Sequence, residues 1–210
     1  QTAMARQLAI NGDREAAIKA AGEIIAAGKA DADTWVLQGD LLAFVKNDKD
    51  GAIAAYRKAV GIAKTHLAAH AGILQLQVAT GDVKGASEQV AELNRMRPGH
   101  STTRYFQAQV AYLQGDHKAA KEAVLQLLKA APDHPQLNQL AGAVELASGS
   151  NEAARAYLGK ALQAAPNSIV ARRMLASALL KSGEASKALE LLQPMLTQAS
   201  PDGVALAVAG

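Results

Sequence analysis

The sequence predicts an all-α protein, an α–α solenoid of about six helix–turn–helix units, and three observations predict it. Gly81, Gly115, Gly149 and Gly183 stand 34 residues apart. Ala52, Ala86, Ala120, Ala154 and Ala188 keep the same spacing. So do Pro98, Pro132 and Pro166, and the next step lands on Ser200, beside Pro201. Landmarks of three residue types sharing one period mark a supersecondary unit repeated in tandem. Each has a mechanical role. Glycine lets the chain leave a first helix with positive φ. A small alanine lets two helix backbones approach. Proline cannot continue a helix and sets the link to the next pair.

Residues 101–132, STTRYFQAQVAYLQGDHKAAKEAVLQLLKAAP, show the unit most plainly. Gly115-Asp116 is its turn, and Val124, Leu127 and Leu128 recur on one face of its second helix. A 34-residue unit of this kind resembles the tetratricopeptide repeat (TPR). The expected organisation is one solenoid over residues 1–210, in which each unit touches only its neighbours.

In chain order, residues 1–30 read as a partial unit with its turn at Asn11-Gly12-Asp13 and its second helix from Ala17 to Ala27. The unit 33–64 follows, with Asp33 or Thr34 as the expected cap of its first helix. Trp35 and Gly39 resemble the Trp and Gly of a TPR first helix, and Ala52, Tyr56 and Ala59 its second-helix positions. One extra residue between Gly39 and Ala52 predicts a longer turn, with Asn47-Asp48 where later units have Gly-Asp or Gly-Ser. Units 67–98, 101–132, 135–166 and 169–200 complete the array. Pro135 falls in a first helical turn, where its missing N–H costs nothing, and Asn167-Ser168 offers caps to the next helix. Pro194 should kink or shorten the last second helix. Residues 202–210 read as the start of a further unit. Both ends therefore read as unfinished, with self-association through uncapped ends expected near Val204 to Val208.

Composition narrows the function classes. The chain has 210 residues, half of them hydrophobic and only 3% aromatic, with net charge +3 and no cysteine. So small a charge does not indicate nucleic acid or an anionic membrane, and thiol chemistry is excluded. No apolar run reaches the ~18 residues of a membrane span. There is no glycine-rich phosphate loop and no His-Glu-x-x-His pair. His66 and His70, four apart, read as solvated helix-start residues in the absence of a third ligand. His66, His100 and His134 are 34 apart and read as exposed edges at successive links rather than a pH sensor. Carboxylates such as Asp13, Asp82, Asp116 and Glu184 sit at turns, where they favour the start of the following helix. No catalytic residue, metal site or cofactor is expected, and the chain reads as no enzyme.

A binding role is expected instead, on the face formed by the first helices. Counting back from each turn glycine places Tyr105, Gln139 and Arg173 ten residues before it, Gln75 and Gln109 six before, Tyr112 three before and Gln136 thirteen before. These seven are the candidate partner-binding residues. They make a neutral face of amides and tyrosines, basic only near its end at Arg173 and Lys181. Neutral hydrogen-bonding groups beside aromatic rings suit an extended peptide or a glycan. The cationic surround that nucleic acid needs is thin. Tyr105 and Tyr112 have a second reading, in which they pack between units and bind nothing.

The wording of the repeats carries a finer resemblance. The stretches WVLQGDLLAF, GAIAAYRKAV, TTRYFQAQVAYLQGDHKAAKEAVLQLLKAAPDHPQLNQLAG and RRMLASALLKSGEASKALELLQPML resemble the PrsT family, the TPR-repeat lipoproteins of the PEP-CTERM/exosortase system. That resemblance implies a scaffold of the bacterial cell envelope, periplasmic or attached to the outer membrane. It implies a role in exopolysaccharide biosynthesis or export, or in PEP-CTERM protein sorting. Its partners would be protein or peptide ligands, with polysaccharide as the alternative, and any membrane contact would run through a lipid anchor outside these residues.

Overall fold

The computed structural model describes residues 1–196, and over them the chain forms twelve α-helices and no strand. First helices are α1 (Thr2–Ile10), α3 (Ala32–Phe44), α5 (Leu67–Thr80), α7 (Ser101–Leu113), α9 (Pro135–Ala147) and α11 (Ile169–Lys181). Second helices are α2 (Arg14–Ala26), α4 (Lys49–Ile62), α6 (Val83–Met96), α8 (His117–Ala130), α10 (Asn151–Ala164) and α12 (Ala185–Leu196). Two compact units divide the chain, residues 1–103 and residue 104 onward. Expectations for residues 197–210, including a further helix and a self-associating end, lie outside the described residues.

The turn inside each hairpin is built from backbone bonds that the glycine makes possible. Gly81, Gly115, Gly149 and Gly183 have φ between +73° and +79°. In each case the following N–H reaches five residues back, as from Asp116 to the Ala111 carbonyl at 2.9 Å and from Asp82 to the Gln77 carbonyl at 2.9 Å. This is the Schellman closure of a helix end. The extra residue in the second hairpin is absorbed there. Asn47 takes the left-handed conformation (φ +53°), and Asp48 N–H reaches six residues back, to the Leu42 carbonyl at 2.8 Å. The residue that closes the turn also caps the second helix. The Asp13, Asp48, Asp82 and Asp116 carboxylates each accept the N–H three residues on, at 2.9–3.2 Å.

Links between hairpins are β-turns closed by N–H to carbonyl bonds, His134 to Ala131 at 3.3 Å and Ser168 to Ala165 at 3.0 Å. Pro132 and Pro166 hold the second place in these turns, where their fixed φ is suited. A side chain from the following first helix then reaches back to the turn. His70 Nε2 donates to the Lys64 carbonyl (2.9 Å), Asn138 Nδ2 to the Pro132 carbonyl (2.7 Å) and Arg172 to the Pro166 carbonyl (2.7 Å). His70 is therefore no solvated residue; it is 4% exposed. The expected cap at Asp33 or Thr34 is also corrected. Asp31 is the N-cap, accepting from Thr34 N–H (2.8 Å) and the Thr34 hydroxyl (2.6 Å), and Thr34 itself is buried. Pro194 lies inside α12 without ending it.

Within each unit the core runs between consecutive helices. In the first, Ala5, Ala17, Ala21, Ile24, Leu37 and Leu41 join α1, α2 and α3. Val36, Ala52, Tyr56, Ala59, Ile73 and Leu76 then join α3, α4 and α5. In the second, Ala108, Ala120, Val124, Leu127, Leu137 and Val144 join α7, α8 and α9. Ala52, Ala86, Ala120, Ala154 and Ala188 are all buried. Size is complementary across the hairpin. A Cβ at Gly39 would fall 2.4 Å from the Tyr56 ring, and one at Gly142 would fall 2.4 Å from Leu158. Ala120→Leu should overpack α8 against its neighbours and cost about 1–2 kcal/mol in urea denaturation. A variant that unfolds with the parent's midpoint would show that this alanine is not a close-contact position.

Candidate functional site

The candidate residues divide between the two units. Gln75 is exposed on α5 of the first. Tyr105, Gln109 and Tyr112 on α7, Gln136 and Gln139 on α9, and Arg173 on α11 belong to the second. In the second unit α9 and α11 touch directly, so these two first helices share a face.

On α7, four-residue spacing puts Gln109 one turn beyond Tyr105, and Gln109 Nε2 donates to the Tyr105 hydroxyl at 3.1 Å. The Tyr105 ring is half-buried, tilted against Phe106 at 5.6 Å and packed on the core around Ala108. Burial pushes its hydroxyl above the usual tyrosine range, so it stays a neutral donor. Tyr112 is half-buried on the same core, with its ring 5.9 Å from that of His117. Both tyrosines thus pack against their own unit and keep part of the ring at the surface.

On α9, Gln136 is exposed, while Gln139 is half-buried and oriented by its neighbour. Ala171 N–H donates to Ser168 Oγ (3.2 Å), which leaves the Ser168 hydroxyl to donate to Gln139 Oε1 (3.2 Å). That relay fixes the Gln139 carboxamide with its NH₂ turned away from Ser168. Arg173 is half-buried on α11, Leu180 is exposed at that helix's far end, and Lys181 follows it. The arrangement offers amide donors and acceptors, aromatic edges and one guanidinium. It can hold a neutral hydrogen-bonding chain.

Other polar groups have structural work. His66 Nδ1 accepts the Ala69 N–H (3.3 Å) and its Nε2 lies 3.5 Å from Asp33, whereas His134 is exposed and makes no side-chain cap bond. The three histidines spaced by 34 therefore do not act as one set. Glu145, 3% exposed, takes the Lys121 ammonium at 2.7 Å, joining α8 to α9. Its hydrogen bond, then its charge, holds the Lys121 ammonium above the usual lysine range. Among the described residues no three His, Cys, Asp or Glu side chains come together as a metal site would require, and no helix is long and apolar enough to cross a membrane.

Sequence reasoning missed His70, Asn138 and Arg172 as the residues that tie α5, α9 and α11 to the preceding links. They are spaced in the 34-residue register, but their chemistry differs, so only position could have found them.

Tetratricopeptide repeat profiles match residues 2–66, 73–135, 107–169 and 145–208. No curated protein sequence matches significantly. Among solved structures, the chain is similar to one in the "APC/C hetero-tetramer Cut9-Hcn1", at TM-score 0.88 and 14% identity over 99% of this chain and 41% of that one. It therefore spans less than half of that chain's length. A tetratricopeptide repeat protein from Parabacteroides merdae superposes at TM-score 0.81 with 12% identity, over 99% of this chain and 81% of that one. YrrB, a TPR protein with an unusual peptide-binding site, superposes at TM-score 0.55 with 19% identity, over 90% and 97% of the two chains.

Proposed function

Because this chain belongs to the tetratricopeptide repeat family, we propose that it is a binding scaffold that holds an extended peptide segment of a protein partner on the first helices of its second unit. The observation that carries this is the oriented pair of amides, Gln109 on the Tyr105 hydroxyl and Gln139 on Ser168, on a neutral face with half-exposed tyrosine rings. Peptide backbone presents one donor and one acceptor per residue, which such carboxamides match. Tyrosine adds apolar area with a polar tip. Gln136, Tyr112 and Arg173 extend the proposed contact within the second unit, and Gln75, on α5 of the first unit, is proposed as a separate partner contact. The family's role in holding other proteins supports the reading. The peptide-binding site of YrrB, a feature of that protein, is consistent with it.

The setting we propose is the bacterial cell envelope, in exopolysaccharide biosynthesis or export or in PEP-CTERM sorting, with a lipid anchor elsewhere in the protein and the repeats forming a single array. It rests on the resemblance of most of the chain from Trp35 onward, strongest from Arg104 to Gly210, to the PrsT family. A glycan is the second reading, favoured by the same neutral amide–tyrosine face, since sugars also pair hydroxyls with amides and stack on rings.

The test titrates PEP-CTERM-type peptides, labelled exopolysaccharide and poly-U against the protein at two salt concentrations. Saturable peptide binding, weakened about tenfold or more by Tyr105→Ala with Gln139→Ala, is expected. Salt-insensitive glycan binding at that face would establish the second reading instead. Steeply salt-dependent poly-U binding would contradict both.

A further inference from the structure

The first unit carries a polar cleft of its own, lined by side chains other than the candidate residue Gln75. It measures about 400 Å³ and lies between α4 and α6 with α5 as its floor. That volume is in the range of small-ligand sites.

Its floor is built, and its hydrogen bonds have one direction. His70 Nε2 must donate to the Lys64 carbonyl, since a carbonyl only accepts. His70 Nδ1 is then the acceptor, and Gln89 Nε2 donates to it. The Gln89 carbonyl oxygen is left facing away from the ring. Gln77, 8% exposed, donates its Nε2 to Asp82 at 3.5 Å, which leaves its Oε1 without a hydrogen-bond partner in the protein. A Cβ at Gly85 would meet the Asp82 carboxylate that caps α6 first and the Gln77 Nε2 next, at 2.4 Å. The equivalent positions of two other hairpins, Ala16 and Ala119, hold alanine. The floor therefore presents carbonyl acceptors and asks for N–H or O–H donors.

The walls carry charge of both signs. Arg95 is satisfied by Glu92 at 2.9 Å. Arg57 on α4 and Glu88 on α6 line the cleft, and neither makes an ion pair or side-chain hydrogen bond among the described residues. No Phe, Tyr or Trp lines it, and its one ring, the His70 imidazole, is buried in the floor. A saccharide would lack its usual stacking ring, and a polyanionic one would meet Glu88 and Glu92.

We propose that this cleft binds a short extended peptide carrying an acidic side chain beside Arg57 and a basic one beside Glu88, with backbone N–H groups donating to the carbonyl oxygens of Gln77 and Gln89. In an extended chain, side chains two apart share a face ~7 Å apart, so an acidic and a basic residue at that spacing are presented to the cleft together. The site uses none of the second unit's residues proposed to hold a partner.

The experiment titrates two end-blocked pentapeptides into the ¹⁵N-labelled protein, Ala-Asp-Ala-Lys-Ala and the neutral Ala-Asn-Ala-Gln-Ala. Expected are shifts in the Gln77 and Gln89 side-chain amides with the charged peptide, weakened by added salt. Arg57→Gln should weaken binding fivefold or more. Arg57→Glu should bind Ala-Lys-Ala-Lys-Ala better than the parent does. Gly85→Ala, which matches the folded turns at Ala16 and Ala119, should abolish binding by crowding Gln77. Equal affinity of parent and Arg57→Gln, shifts confined to α9 and α11, or tighter binding of a uronic-acid trisaccharide than of the peptide would each overturn the proposal.

Discussion

Tyr56→Ala is expected to destabilise the first unit by about 3–5 kcal/mol, measured by urea denaturation. Tyr56 is among the largest fully buried side chains and stands between two glycines. Its ring fills the space a Cβ would take at Gly39 on α3 and at Gly72 on α5, 2.4 and 2.6 Å away. Removing it leaves a cavity shared by three helices. It also strips the donor from Asp40, whose Oδ1 accepts the Tyr56 hydroxyl at 2.7 Å. Gly39→Ala should harm the parent yet be nearly neutral in the Tyr56→Ala background, a coupling that identifies the ring as the obstacle. Burial raises the Asp40 carboxyl above the usual range, against the smaller lowering effect of the Tyr56 bond. A raised carboxyl binds its proton more tightly in the folded state, so stability falls as pH rises through that window. Asp40→Asn should therefore melt no lower than the parent at pH 7, and any gain should shrink toward pH 3.

Asn138→Ala is expected to cost about 2–3 kcal/mol and to loosen the second unit at its first link. The side chain is fully buried and donates to two carbonyls, Pro132 at 2.7 Å and His134 at 3.1 Å. Alanine leaves the Pro132 carbonyl without that donor, worth ~1–3 kcal/mol, while the His134 carbonyl keeps the backbone N–H of residue 138 at 3.0 Å. Asn138→Asp should be worse, since a buried carboxylate would face two carbonyl oxygens. Hydrogen exchange should speed at the α9 start before it speeds in α10. Parent-like exchange in the alanine variant would mean that the proline turn holds the link alone.

The parts of this fold that are legible in sequence are those fixed by one residue type. A turn that needs positive φ recruits glycine, and a close helix contact recruits alanine, so both recur by name every 34 residues. The same register gives Tyr56 its second-helix position, but it hides Gly72. That glycine sits 33 residues from Gly39, out of step with the period, and only packing reveals that it faces the same ring. The link ties are hidden for a different reason: a histidine, an asparagine and an arginine all donate to the same carbonyl position, so the role repeats while the residue does not. Asp31 and Asp33 are chemically equal as caps, and only the bonds from Thr34 to Asp31 distinguish them. At the candidate face, register places the tyrosines and amides on first helices. It does not show that Gln109 and Gln139 are already oriented by Tyr105 and Ser168, because those bonds depend on rotamers and on the next helix's cap.

The most direct test of the central claim is a ¹⁵N NMR titration of the whole chain with PEP-CTERM-type peptides, read residue by residue in the second unit. The side-chain amides of Gln109, Gln136 and Gln139 should move together and saturate, while Gln126 and Gln163 on the second helices stay still. Movement of Gln126 and Gln163 with the first-helix amides unmoved would contradict a partner held on the first helices.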